Sequence, residues 1–289
     1  MHIISRKKTI AGEELMAIFM ANVENVGYRI NTQTKYIQIP ENDLLQVLPN
    51  FKRNEKGELE EESHLGFTVH PKEIKNRLDS RHFDPRILKT INVLKNYPHV
   101  RLGDISHPPI KGKAPRTYVE SGIPVITIEN IVKRNEFYFL NLTGVRYITK
   151  EAHEKAKETK IKEGDILLVI TGATIGKVTV VPKYLKEGNI CGDILKVTLR
   201  EEISPYYVAA FLSSKYGQIQ VFKHICGSTN MHLDPEGIKS IIITIHPNQE
   251  KIGRKLEQIG DTLERINGLL CELKMSDFVW NIKNTSFEA

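Results

Sequence analysis

The stretch His107-Pro108-Pro109-Ile110-Lys111-Gly112-Lys113-Ala114-Pro115-Arg116-Thr117-Tyr118 carries three cations, Lys111, Lys113 and Arg116, and no acid. Its Gly and Pro residues keep the backbone irregular and exposed. Such a loop suits nucleic acid: Lys and Arg gain affinity by releasing counterions from phosphates, and Arg can also bond a guanine in two places. Lys133-Arg134 forms a second cationic turn, shortly after Glu129-Asn130. A third loop, Gly227-Ser228-Thr229-Asn230-Met231-His232, clusters hydroxyl, amide and imidazole groups able to bond phosphates or base edges; Ser228, Thr229, Asn230 and His232 are its candidate contacts. Gly172-Ala173-Thr174-Ile175-Gly176-Lys177-Val178 invites comparison with a nucleotide phosphate loop. It is one residue short, and Val178 offers no oxygen to a metal. It therefore reads as a turn between two strands, with Lys177 left to meet a phosphate by charge.

Catalytic chemistry is harder to find. His107-Pro108-Pro109-Ile110 sits close to the Asp/Asn-Pro-Pro-aromatic pattern of DNA amino-methyltransferases, but it lacks both the polar residue at the start and the aromatic ring at the end. No Gly-rich methyl-donor loop, paired-carboxylate nuclease signature, metal-spaced His/Cys cluster or Ser/Cys nucleophile motif stands out. The ten histidines have no consistent spacing, and Cys191, Cys226 and Cys271 are too scattered for a disulfide framework or a zinc knuckle. The expectation is no catalytic residue, no metal and no cofactor.

The 289 residues allow about two domains. A formal charge of +6, a pI near 9.0 and 26% charged residues describe an ordinary soluble chain with a basic bias. The excess lies mainly in residues 97–247, which hold 20 basic and 15 acidic side chains. No stretch approaches the roughly 18 to 20 apolar residues of a membrane span, and the opening lacks the apolar core of a secretory signal, so the chain reads as cytoplasmic.

The elements that must position these loops change character along the chain. Apolar Leu15, Ile18, Phe19 and Val23 recur at helical spacing over Gly12 to Glu24, and Pro40 to Asp43 reads as the cap of a short helix with Leu44, Leu45, Val47 and Leu48. Asn54 to Ser63 is charged and reads as a mobile loop. From Val100 short β-rich runs take over: 125–128, 165–170, 177–181, 194–199 and 241–245. Helical patterns at 149–157 and 205–214 lie between them. After Pro247, the apolar residues Ile252, Leu256, Ile259, Leu263, Ile266, Leu270 and Leu273 alternate at spacings of four and three, a coiled-coil seam. Gly253, Gly260 and Gly268 each weaken that helix by about 1 kcal/mol, so it is expected to need a partner. The fold class is α+β, divided into a small helical region (1–96), a mixed, mostly β domain (97–247) and a long coiled-coil helix with its tail (248–289).

The order of the middle motifs is distinctive. Arg101 to Ile105 is followed by Gly122 to Ile126 with Glu129-Asn130-Ile131, then Gly164 to Leu167 with Thr171 to Lys177. Pro205 to Ser214 with Gly217-Gln218, Gly227-Ser228-Thr229, and Pro247 with Gln249 opening the last helix complete the series. Residues 97–275 in this order resemble a target recognition domain of the specificity subunit of type I restriction-modification enzymes. In the amino-terminal part, Ile18 to Tyr28 with Pro40 to Leu44 is similar to the carboxy-terminal tail of adenine-N6 DNA methyltransferases of these systems. Arg77 to Pro85 resembles the joint leading into a fused recognition domain.

The resemblance implies a non-catalytic subunit that reads double-stranded DNA and directs an adenine-N6 methyltransferase subunit, with a restriction subunit as a further partner. It implies a prokaryotic, nucleoid-associated location and no membrane. Complete subunits of the family resemble two domain-plus-helix units in tandem, whereas this chain has room for one and shows no internal repeat; it would either restore the pair as a homodimer through the last helix or act with one methyltransferase on an undivided site. Two other classes stay open. One is the recognition part of a fused restriction-methylation enzyme, active only with a separate catalytic part. The other is a structural module on a coiled-coil stalk.

Overall fold

The structure, a computed structural model, describes residues 2–5, 17–30, 35–59, 63–74, 77–200, 203–227 and 231–275. The chain divides into two compact units, Met1–Asn96 with Phe222–His224, and Tyr97–Val221 with Ile225–Ala289.

In the first unit β1 (His2–Ser5), β2 (Ile18–Asn22), β3 (Val26–Ile30) and β4 (Tyr36–Asn42) precede helix α1 (Leu44–Lys56), strand β5 (Phe67–Val69) and helix α2 (Pro85–Leu94). An antiparallel sheet runs β1-β2-β5, and β3 pairs with β4 in a hairpin. The helix expected over Gly12 to Glu24 is corrected: residues 18–22 form the central strand, and residues 12–16 lie outside the described residues. Ile18 and Met20 pack with Phe67, Val69 and Phe83, while Phe19 and Ala21 pack with Val47 and Leu65. A run buried on both faces is continuously apolar, so its residues match helical spacing by default.

The short helix does form, and it continues through Asn54 to Lys56, part of the expected loop, to Gly57 at φ 74°. Its cap is indirect. The Asp43 carboxylate accepts from the Glu24 and Asn25 amides at 2.8 and 2.7 Å, leaving Asn42 Oδ1 to accept from the Leu44 amide at 3.1 Å. Asp84 starts α2, accepting from the Arg86 amide at 2.9 Å, and its buried carboxylate also receives Asn22 Nδ2 at 2.9 Å and the Arg86 guanidinium at 2.7 Å.

The second unit opens with β6 (His99–Arg101), the single-turn α3 (Leu102–Ile105), β7 (Ile110–Lys111), β8 (Ile123–Ile126), β9 (Ile131–Arg134), β10 (Phe137–Leu140) and β11 (Arg146–Ile148). Next come α4 (Lys150–Lys155), β12 (Lys160–Ile161), β13 (Ile166–Val169), β14 (Val178–Val180), β15 (Gly188–Ile190) and β16 (Ile194–Val197). Helices α5 (Pro205–Ser213) and α6 (Lys215–Lys223), strands β17 (Ile225–Cys226) and β18 (His232–Leu233), α7 (Pro235–Ile238), β19 (Ile242–Thr244) and α8 (Gln249–Met275) complete it.

Two four-stranded sheets, β11-β8-β15-β12 and β14-β13-β16-β7, form the core. On β13, Ile166 and Leu168 join a cluster with Val208 and Leu212 of α5, while Leu167 and Val169 join Val125, Ile126 and Ile190 of the other sheet. Burial on both faces explains why these strands read as unbroken apolar runs. Four of the β-rich runs contain a strand and the run 125–128 overlaps the end of β8, and Thr149 and Ser204 cap α4 and α5 through their hydroxyls.

The chain crosses between the sheets at Gly112, whose amide donates to Ile194 O at 2.9 Å while the Lys113 amide donates to Ile190 O at 3.3 Å. A Cβ at Gly112 would lie 2.0 Å from the Cys191 carbonyl oxygen, so only glycine fits. The Lys196 ammonium also joins the sheets, donating to Glu158 O at 3.0 Å and Lys160 O at 2.6 Å; burial lowers its pKa below the usual lysine value.

Candidate nucleic-acid interface

One end of the β14-β13-β16-β7 sheet gathers several residues singled out from sequence. Val178, Leu168, Leu195 and Lys111 stand side by side across the four strands. Lys111 therefore occupies one edge, and Lys177, directly before Val178, occupies the other. Lys177 belongs to a turn, as its sequence suggests: Gly172 and Gly176 have φ of 74° and 95°, and the Val169 amide donates to Lys177 O at 2.9 Å. Between the edges, Thr171 follows β13 and pairs with His232 of β18, and the Leu233 amide donates to Ile170 O at 2.9 Å. Strand pairing thus brings His232, exposed, to the same end as the two lysines.

The loop after β7 behaves less uniformly than its sequence implies. Lys113, although no acid is near it in sequence, meets Glu158 at 3.1 Å, both side chains being largely exposed. Arg116 is exposed, and beside it Tyr118 carries the Arg146 guanidinium 4.8 Å from its ring centre. Arg146 was not singled out from sequence, since only the bridge between Val119 and Tyr147 brings it near the loop. Asp193 was missed too. It precedes β16, is exposed, and accepts from the Thr171 hydroxyl at 2.6 Å.

Lys133 and Arg134 lie on the β9–β10 hairpin, which packs alongside β14. Asn135 turns the hairpin at φ 52°, Lys133 approaches Glu136 at 3.7 Å, and at the far end Tyr184 Oη donates to Leu140 O at 3.3 Å. Ser228, Thr229 and Asn230 lie outside the described residues.

The seam of α8 divides. Leu256 is buried and Ile252 packs against the core of the chain's own unit. Ile259 and Ile266 are 47% and 46% exposed, and Leu263 is half-buried. The side chains of Leu270 and Leu273 lie outside the described residues. The expectation that the glycines make α8 depend on an outside partner is corrected for its first half. A Cβ at Gly253 would lie 1.9 Å from Ser204 Oγ, and one at Gly260 3.3 Å from the Phe139 ring. These glycines let the helix lie close on its own domain, and Lys183 ties it there through Asp261 at 2.8 Å.

Residues 95–275 match the family model of the type I restriction modification DNA specificity domain. No curated protein matches the chain. Among solved structures, the chain is similar to one from a type I restriction-modification complex, at 16% identity and a TM-score of 0.39, with 80% of this chain and 55% of that one covered. It is also similar to the HsdS subunit from Thermoanaerobacter tengcongensis, at 14% identity and a TM-score of 0.39, with 79% and 54% covered. The type IIG restriction endonuclease BpuSI matches at 12% identity and a TM-score of 0.44, with 74% and 33% covered. The chain thus spans about half the length of the first two and a third of the last. With the family model matched over well more than half of its length, from the residue after α2 to the end of α8, this chain belongs to the type I restriction-modification DNA specificity family.

Proposed function

We propose that this chain reads a double-stranded DNA sequence for a restriction-modification system, directing an adenine-N6 methyltransferase subunit, and a restriction subunit where one exists, to its site. The observation that carries the reading is the convergence of Lys111, Lys177 and His232 on one sheet end within the region matched by the family. Cations supply affinity and orientation through phosphates, and polar side chains between them meet base edges. In this reading the chain holds no catalytic group and no cofactor of its own, and works in a prokaryotic cytoplasm at the nucleoid.

The exposed Ile259 and Ile266 favour a homodimer through α8, which would present two such sheet ends to two half-sites. Ile266 is the residue to test, because it is exposed in the single chain and its replacement leaves the domain core untouched. Ile266→Asp should turn a dimer into a monomer in sedimentation, with DNA binding per chain weakened but not abolished. Equal sedimentation of the two proteins would overturn the dimer.

The reading as a whole is tested by anisotropy with labelled duplex DNA and by co-expression with an adenine-N6 methyltransferase subunit of a type I system. Expected are salt-dependent duplex binding and methyl transfer only in the presence of both proteins. The alternative, the carboxy-terminal recognition part of a fused restriction-methylation enzyme, draws on the likeness of residues 18–28 and 40–44 to a methyltransferase tail, and predicts both methyl transfer and cleavage once a separate catalytic part is supplied. Absence of any duplex binding would overturn both readings.

A further inference from the structure

The sheet end that carries Lys111 and Lys177 holds an acid at its centre. Asp193 stands directly before β16, and its backbone is fixed on the sheet because the Ile170 amide donates to Asp193 O at 2.9 Å. Its Oδ1 accepts from the Thr171 hydroxyl at 2.6 Å, and Thr171 is itself held by pairing with His232. Oδ2 has only a weak contact, the Cys191 thiol at 3.9 Å. Among the described residues no cation stands within ion-pair distance of this exposed carboxylate. It is thus a rigid, oriented acceptor with one oxygen available to solvent.

An acid here works against phosphate binding, because a carboxylate repels phosphate and lowers affinity for any duplex. What it suits is a donor. In the major groove, cytosine presents its N4 amino group with no acceptor on the adjoining C5, whereas adenine sets its N7 acceptor beside its amino group, where a second carboxylate oxygen is repelled. The dimensions agree. Lys111 and Lys177 are three inter-strand steps apart, about 14 Å at ~4.8 Å per step, close to the ~12 Å width of the major groove. Cations at the two edges can therefore each meet a phosphate, with Asp193 placed between them on the sheet.

We propose that Asp193, oriented by Thr171, is a specificity-determining residue that accepts a hydrogen bond from a cytosine amino group in the major groove. The proposal rests on the DNA-reading function above. Thr171 is a positioning residue: its hydroxyl occupies Oδ1 and leaves Oδ2 for the base.

The test is selection of bound sequences from a randomised duplex library by the full chain, its Asp193→Asn variant and its Thr171→Val variant. Asparagine keeps Oδ1 for Thr171 and puts the Nδ2 donor where Oδ2 stood, which fits the O6 and N7 acceptors of guanine and not a cytosine amino group. Asp193→Asn should change the preference at one position from cytosine toward guanine, by about tenfold or more, with all other positions kept. Thr171→Val should weaken discrimination at that same position without changing its identity. Affinity of Asp193→Asn for random duplex should equal or exceed that of the wild type, since a repulsive charge is gone. Identical motifs from wild type and Asp193→Asn would overturn this proposal and leave the DNA reading standing; a library from which the wild type selects nothing would overturn both.

Discussion

Replacing Lys111 and Lys177 together by Ala should flatten the salt dependence of DNA binding by a definite amount. The two lysines stand at opposite edges of one sheet, about 14 Å apart, too far to share a phosphate, so each should neutralise its own. Each phosphate contact on duplex DNA contributes about 0.9 to the slope of log K against log salt, so the double variant should lose about 1.8. Raising salt from about 50 to about 200 mM should then weaken the wild type about twelvefold more than the variant. Glu158 supplies a control of opposite sign: it holds Lys113 at 3.1 Å, so Glu158→Gln releases that ammonium and should steepen the slope by up to about 0.9. Anisotropy of a labelled random duplex at several salt concentrations measures all three proteins. If the double variant keeps the wild-type slope, the phosphates lie elsewhere and the assignment of this sheet end is wrong.

Three further outcomes follow from packing and charge. Gly253→Ala places a Cβ 1.9 Å from Ser204 Oγ and should cost about 1–3 kcal/mol, whereas Gly268→Ala, with nothing within 4 Å, should stabilise by up to about 1 kcal/mol; thermal melts of opposite sign are the expected result. Gly112→Ala brings a methyl to 2.0 Å from a backbone oxygen that cannot move aside, so proteolysis should find the second unit unfolded while a Gly144→Ala control stays folded. Burial alone would raise the Asp84 pKa, but hydrogen bonds and charge from Arg86 and a bond from Asn22 hold it below its ordinary 3.8. The stabilisation is therefore present above about pH 3.8 and lost as pH falls through the folded value. Denaturant midpoints at pH 5 and pH 3 should fall further for wild type than for Asp84→Asn, and equal falls would refute the linkage.

How much of this was legible in sequence depends on whether neighbours are local. The strands of the second unit were legible because β13 and β16 are buried on both faces and contain almost nothing but branched apolar residues. The caps at Thr149 and Ser204 and the turn before Lys177 were legible because a cap or turn is decided within a few residues. The strand at Ile18–Asn22 was not, since a short apolar run satisfies either period and only the partners β1 and β5 settle it. At the interface the cation types could be read, but their company could not: Glu158 lies far along the chain from Lys113, and Asp193 acquires its meaning only when pairing sets it between Lys111 and Lys177.

The last helix shows how one pattern can serve two purposes. At ~1.5 Å per residue, α8 runs about 40 Å, and a seam that strict reads as a coiled coil throughout. Its first half spends that seam on its own domain, with Leu256 buried and Gly253 and Gly260 brought against Ser204 and Phe139. A glycine that costs about 1 kcal/mol of helix propensity is offset where it lets two backbones approach and bury apolar surface. Gly268 has no such neighbour, and Ile266 and Leu269 near it are exposed. The helix is therefore anchored at its start by the domain and exposed at Ile266 and Leu269, so a partner acting on Ile266 would engage a lever already fixed to the domain that carries Lys111, Asp193 and Lys177.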